Sequence, residues 1–444
     1  MSHSFFVQVQ TAAQVDSHRN GEKRMAHIVI IGAGIGGLSM AYEMDELTRP
    51  GDRVTVVSDA PGLHFVASNP WAAASGQERG EIEFSVAERL EKKGIGFTAA
   101  GARRLHPAQN RVELGDGTFL DYDFLVITTG PKVAFEEIEG LGPDGYTQSV
   151  CHVDHTVVAG KAWEQFVADP GPIIVGAVQG ASCFGAAYEA AFTMDADLRR
   201  LGVRDRAPMT LVTAEPYIGH LGLNGMGESR QMLESALRDK DIRWIANANV
   251  TRVEQDRMHV TELGGEGTLE KEHVLLFKYS MMVPAFRGID AVSGIEGLVS
   301  PRGFVLIDEF QRNPKYRNIY AAGVAVASAA AGSKEVSADS PRTGYMVESA
   351  MTTAVQNIRD QIDNKEPTHK ANWNAVCMAE LGGSGIAFIS LPQAPPGNVG
   401  WFSEGKWTYL SRCASCDVGT RTAVHSAPVR LDSGAPEDKK PFHN

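Results

Sequence analysis

The sequence predicts an α/β fold, and three observations carry that expectation. The β-branched run His27–Ile31 passes directly into GAGIGG and then into the helix-forming LSMAYEMDEL. A second run, Pro172–Val175, passes into GAVQGASC and then FGAAYEAAF. No apolar stretch reaches the roughly 18 residues that a membrane-spanning helix needs. Two strand–turn–helix units of this kind predict two Rossmann-like domains followed by a C-terminal cap, with no transmembrane helix. A length of 444 residues suits about two to three domains. Hydrophobic residues at 43% and charged residues at 22% exclude a disordered or fibrous chain. The net charge of −12 argues against nucleic acid as a partner.

Residues 1–24 lack a positively charged start followed by an apolar core, so they read as a disordered extension and not as a signal peptide. In the first unit Gly32, Gly34 and Gly37 fit G-x-G-x-x-G. The first glycine permits a tight turn, the second lets backbone approach a pyrophosphate, and the third lets helix pack on strand. Free N–H groups at the helix start then face the phosphates. The next strand, Arg53–Val57, ends at Ser58 and Asp59, where a ribose-binding residue belongs. Phe124–Thr128 runs into Thr129 and Gly130, and Asn318–Ala322 runs into Gly323. In flavoproteins with two dinucleotide domains, strands ending this way bring backbone close to FAD. Each strand-end glycine alone is ordinary, and their agreement with the first turn carries the assignment. The FAD domain is expected over 25–150 and 271–354, with the second Rossmann-like domain inserted at 151–270. The cap is expected over 355–410 and an irregular tail over 411–444.

The second unit has the wrong residues for a nicotinamide cofactor. Val178 holds the position of the second glycine, and its side chain would obstruct a pyrophosphate. Cys183 opens the following helix, where unpaired N–H groups and the helix dipole favour a thiolate. Cys151 is followed by His152, Asp154 and His155, and Cys377 lies in NAVCMAELG. Any one of these cysteines alone reads as a small buried hydrophobe. Three of them in a flavoprotein without a nicotinamide site suggest a thiol pair as electron donor. Five irregularly placed cysteines are no secreted disulfide framework. Cys413 and Cys416 form a single C-x-x-C that His425 does not complete into a tetrahedral set, so no metal is expected.

At these segments the chain resembles the sulfide:quinone oxidoreductase family of two-dinucleotide-domain flavoproteins. The matching stretches are MAHIVIIGAGIGG, FVASNPW, VCHVDH, GASCFGAAYE, AEPYIGHLGLNG, MMVPAF, GFVLIDE, NIYAAGVAVA, PRTGYMVES and NWNAVCMAELG, spread from Met25 to Leu410. The resemblance implies that Cys183 and Cys377 face each other across the flavin ring of a bound FAD, bridged by a disulfide or extra sulfurs. Sulfide would attack the bridge and leave a persulfide on Cys183. Cys377 would hand two electrons to the flavin, with a polysulfide or sulfur product and a ubiquinone or other membrane quinone as final acceptor. Cys151 would assist sulfide entry, exchange or product release. Glu189, six residues beyond Cys183, reads either as a proton carrier or as a solvated helix carboxylate. His155 and His220 fall in matched motifs and would relay protons. Arg342, in PRTGYMVE, stands where related sequences often carry Lys and would stabilise the reduced flavin.

Three other readings compete with sulfide oxidation coupled to quinone. These are a sulfide dehydrogenase with a non-quinone acceptor, a flavin-bearing sulfide sensor, and a type II NADH dehydrogenase, which Val178 opposes. Related enzymes continue into a basic, aromatic-rich amphipathic tail, whereas here the chain after Leu410 reads SRCASCDVGTRTAVHSAPVRLDSGAPEDKKPFHN. That stretch has no apolar face at helical spacing. Peripheral and weak membrane contact or a cytoplasmic location is therefore expected. Homo-oligomerisation stays open.

Overall fold

The computed structural model describes residues 25–64, 66–75, 83–222, 228–264, 267–327, 343–373, 375–380, 385–391 and 399–405. Arg342, Cys413, Cys416 and the expected extension and tail lie outside them.

A five-stranded parallel sheet forms the first unit, in the spatial order Ile319–Ala321, Phe124–Ile127, His27–Ile31, Arg53–Val57, Gly96–Thr98. Every residue of His27–Ile31 is buried, as expected for a central strand covered on both faces. The helix Ile35–Leu47 covers one side together with Gly344–Ile362, and side chains of the first helix and of the turn after it are stitched to the second. Thr352 donates to Glu43 at 3.1 Å, Arg359 pairs with Asp52 at 3.0 Å, and Arg49 pairs with Asp363 at 2.6 Å.

The second unit is a four-stranded parallel sheet in the order Ile242–Ile245, Met209–Thr213, Ile173–Ala177, Tyr279–Val283. Its last strand lies beyond 270, so the chain returns to the first unit only after Val283, later than the sequence suggested. The strand also runs through Gly176 to Ala177 and does not break at the glycine. A Cβ on Gly176 would sit 1.7 Å from the Val212 carbonyl oxygen, so this glycine serves close strand pairing.

Each unit carries a three-stranded antiparallel insert, at 102–121 and at 248–276. The helix Gly344–Ile362 passes unbroken through 355, where the cap was expected to begin. The antiparallel sheet Ala375–Glu380, Gly385–Leu391, Val399–Gly405 follows, with Cys377 opposite Phe388.

Candidate active site

In both parallel sheets the strand order reverses beside the first strand, the place where sheets of this kind open a crevice at the carboxyl ends of their strands. In the first unit Gly32, Gly34 and Gly37 occupy it. Gly32 adopts φ +112°, and a Cβ there would lie 2.7 Å from the Thr128 carbonyl carbon. A Cβ on Gly37 would lie 1.8 Å from the Gly32 oxygen, so both glycines are demanded by the protein's own packing. Gly34 differs, because none of the described residues lies within 4 Å of the position its Cβ would take. The same holds at Gly130, whose φ is +70°. These two open positions form a cradle that fits a phosphate-bearing group approaching the backbone.

The surrounding residues fit the same group. The Ser58 hydroxyl is taken by the Ala60 N–H at 3.2 Å, which leaves the exposed Asp59 as the ribose candidate at that strand end. Thr129 turns its hydroxyl onto the Gly130 carbonyl at 3.2 Å, while Thr128 ties the turn to the Ile31 and Gly32 carbonyls at 3.1 and 3.3 Å. Gly323, at φ +75°, ends the neighbouring strand. Thr343 stands at the N-cap of the helix Gly344–Ile362, and its buried hydroxyl has no hydrogen-bond partner among the described residues. An orphaned donor at the positive end of a long helix suits a ligand that carries negative charge.

The reversal in the second unit is closed. The Val178 N–H donates to Val283 O at 3.0 Å, the Gly180 oxygen accepts from Phe286 at 3.4 Å, and the Val178 side chain is fully buried in an apolar cluster with Ile138, Ile174 and Met282. Cys183 is exposed and occupies the N-cap of the helix Phe184–Arg200. The strand Ala375–Glu380, which contains Cys377, packs against this helix and against Gly344–Ile362. Cys151 is half-buried next to Cys183, and burial, with a smaller contribution from Cys183, pushes its thiol up to about 12.

The titratable candidates differ in their surroundings. His155 stacks edge-on with Phe135 at 5.6 Å and lies 5.5 Å from the His152 ring. Burial, and then His152, hold it below the ordinary histidine value. Glu189 is buried at 9% exposure, which removes the solvated-carboxylate reading. His220 is buried and packs edge-on against Tyr217 at 5.2 Å.

Three residues escaped the sequence reading. Asn69, fully buried, bridges His64 at 2.5 Å and the Val150 carbonyl at 2.7 Å, so it ties the first unit to the residue before Cys151. Glu215 and Tyr188, both buried, bond each other at 2.8 Å beneath the His220 loop. Asn69 and Glu215 lie in the quoted segments FVASNPW and AEPYIGH, but nothing in a lone Asn or Glu marks it as buried.

Comparison with known proteins agrees with this geometry. The family model described as pyridine nucleotide-disulphide oxidoreductase matches residues 26–350. A sulfide-quinone reductase of Aquifex aeolicus (strain VF5) is 32% identical over 390 residues, covering 87% of this chain and 89% of the relative. The X-ray structure of the sulfide:quinone oxidoreductase from Aquifex aeolicus superposes with a TM-score of 0.85 at 32% identity, over 90% of this chain and 91% of that one. A mitochondrial sulfide:quinone oxidoreductase of Dictyostelium discoideum is 26% identical over 220 residues, 46% of each chain. The cofactor is FAD, and the cradle at Gly34 and Gly130 fits it. Matched over most of its length by the family model and by a relative, the chain belongs to the pyridine nucleotide-disulphide oxidoreductases and, within them, to the sulfide:quinone oxidoreductases.

Proposed function

We propose that the protein oxidises sulfide to polysulfide or sulfur at Cys183 and Cys377 and delivers the electrons through FAD to a quinone. One observation carries this reading. The second unit presents an exposed cysteine at a helix N-terminus, where a nicotinamide-binding unit would need open backbone, and the Cys377 strand packs on that same helix.

Hydrosulfide attacks Cys183 of a Cys183–Cys377 bridge. The new S–S bond forms on Cys183, the bridge breaks, and Cys377 leaves as a thiolate with the electron pair. With FAD bound, the cofactor would supply the two-electron oxidant under which the Cys183 persulfide and the Cys377 thiolate join in a new S–S bond, restoring the bridge one sulfur longer, and the quinone would be the final acceptor. The helix N-terminus at Cys183 stabilises anionic sulfur during the exchange. His155, held neutral by burial, accepts the proton that sulfide releases, while Glu189 and His220 carry protons between the sulfurs and the quinone side. Cys151 remains a protonated thiol near neutrality, so it serves sulfide entry or product exchange and not the first attack. Asp59, Gly34 and Gly130 would hold the cofactor, and the family resemblance gives Arg342 the role of a cation for the reduced flavin.

Anaerobic stopped-flow mixing tests this directly. Sulfide is expected to bleach the bound flavin, and a short-chain ubiquinone to restore its colour. Bleaching by NADH but not by sulfide would replace the proposal with an NADH dehydrogenase. Sulfide bleaching that no quinone reverses would make the protein a sensor or a dehydrogenase with another acceptor. No helix among the described residues is long and apolar enough to cross a membrane. Attachment is proposed to be peripheral and released by a high-salt wash, and release by detergent alone would overturn that part.

A further inference from the structure

The loop 214–222 carries His220 past the start of the Cys183 helix, and two buried side chains hold it there. Tyr188, on the Cys183 helix, donates its hydroxyl proton to Glu215 Oε2 at 2.8 Å and accepts the Gly219 N–H at 3.1 Å. Glu215 Oε1 accepts the Leu221 N–H at 2.6 Å, and Oε2 also accepts from the Thr213 hydroxyl at 2.8 Å. The two amides that flank His220 are therefore gripped by two side chains that grip each other. One of those side chains belongs to the helix that Cys183 caps.

The grip acts on a backbone that would not settle there unaided. Leu221 has φ +56°, a region that side chains other than glycine rarely adopt. At Gly219, with φ +81°, a Cβ would lie 2.8 Å from the Ser229 backbone, so the loop also abuts the helix Ser229–Asp239. Glu215 is fully buried, and no cation pairs with it among the described residues. A buried carboxyl without a cation is costly to stability, and it persists where its hydrogen bonds fix one geometry. Burial pushes its pKa up to about 7, and both protonation states can accept from Leu221 while bonding the two hydroxyls.

We propose that Tyr188 and Glu215 are positioning residues that clamp the backbone on both sides of His220 and set that imidazole at a fixed place relative to Cys183. The proposal rests on the reading that Cys183 and His220 work on sulfide.

The experiment combines two measurements on FAD-loaded protein: the rate at which sulfide reduces the flavin, and hydrogen–deuterium exchange of the peptide covering 214–222. His220→Ala is expected to slow flavin reduction about tenfold or more, the scale of losing a proton-transfer group. Tyr188→Phe is expected to slow it about tenfold and to speed exchange in the loop, with FAD content unchanged. Glu215→Ala should do the same. Glu215→Gln keeps a carbonyl for Leu221 and an N–H for the hydroxyls, so it should retain the rate within about twofold. The deciding variant is the double Tyr188→Phe/His220→Ala, expected to be no slower than His220→Ala alone. Additive slowing in the double variant would overturn the clamp, as would a full rate in Tyr188→Phe with a loosened loop. A full rate in His220→Ala would overturn the role of His220 itself, and the exchange data would still show whether Tyr188 holds the loop.

Discussion

The turn at Gly32–Gly37 and the turn at Val178–Ala181 occupy equivalent places. Each follows the central strand of a parallel sheet at the point where the strand order reverses. They diverge in what fills the crevice. At Gly34 the Cβ position is open, whereas Val178 at the matching place is buried and its N–H is spent on Val283. The first helix then begins with Ile35 at 45% exposure beside the open turn, and the second with the Cys183 cap. One strand–turn–helix frame thus leaves backbone bare in a way that fits a cofactor, and its copy covers its backbone and presents Cys183 at the helix start.

The comparison can be broken most sharply at the open glycine. Gly34→Val should yield protein that folds but holds less than a tenth or so of the FAD of the parent, read from the ratio of flavin to protein absorbance. A yellow, fully loaded variant would mean that the cradle is only structural. On the other side, Cys183→Ala and Cys377→Ala should each lower sulfide-driven flavin reduction by about a thousandfold or more with FAD retained, and Cys151→Ala should keep partial activity. Near-full rates in the Cys377 variant would remove the bridge from the mechanism.

Reopening the covered turn should fail. Val178→Gly is expected to cost about 2 to 4 kcal/mol in chemical denaturation, because the side chain is fully buried, and to leave the flavin unreduced by NADH. NADH reduction in that variant would show that Val178 alone bars the nicotinamide. A last contrast concerns Cys151. Its raised pKa leaves the neutral thiol dominant, so alkylation by iodoacetamide at pH 8 should be slower than at an ordinary cysteine by roughly a thousandfold. The rate should climb about tenfold per pH unit up to pH 10 without a plateau. A plateau below pH 9 would contradict the burial argument.

Both strand–turn–helix units were legible because local signals agree there: a β-branched run, a turn residue, then helix formers. The glycines were legible as a set, yet their separate duties were not, since only contacts distinguish Gly37, pressed on the Gly32 oxygen, from Gly34, whose Cβ position is open among the described residues. The return after Val283 was missed because Tyr279–Val283 reads as an apolar run that suits either sheet, and pairing across the chain decides which. Glu215 and Asn69 were invisible for a related reason. A polar residue inside a loop motif looks solvated until the fold buries it against partners 27 and 81 residues away.

The stitching of Ile35–Leu47 to Gly344–Ile362 bears on the order in which the chain acquires structure during synthesis. The second unit is continuous from 173 to 283 and can close as soon as that length has left the ribosome. The first unit waits for Ile319–Ala321 to complete its sheet and for Arg359 and Asp363 to reach Asp52 and Arg49, more than 300 residues upstream. Its opening strand is apolar from Ile28 to Ile31, so the nascent protein carries a sticky, unfinished half until synthesis is nearly done. Stalled chains ending near 300 should accordingly resist protease over the second unit while the first is still cut. Chaperone demand and flavin loading would both concentrate in the last stage of translation.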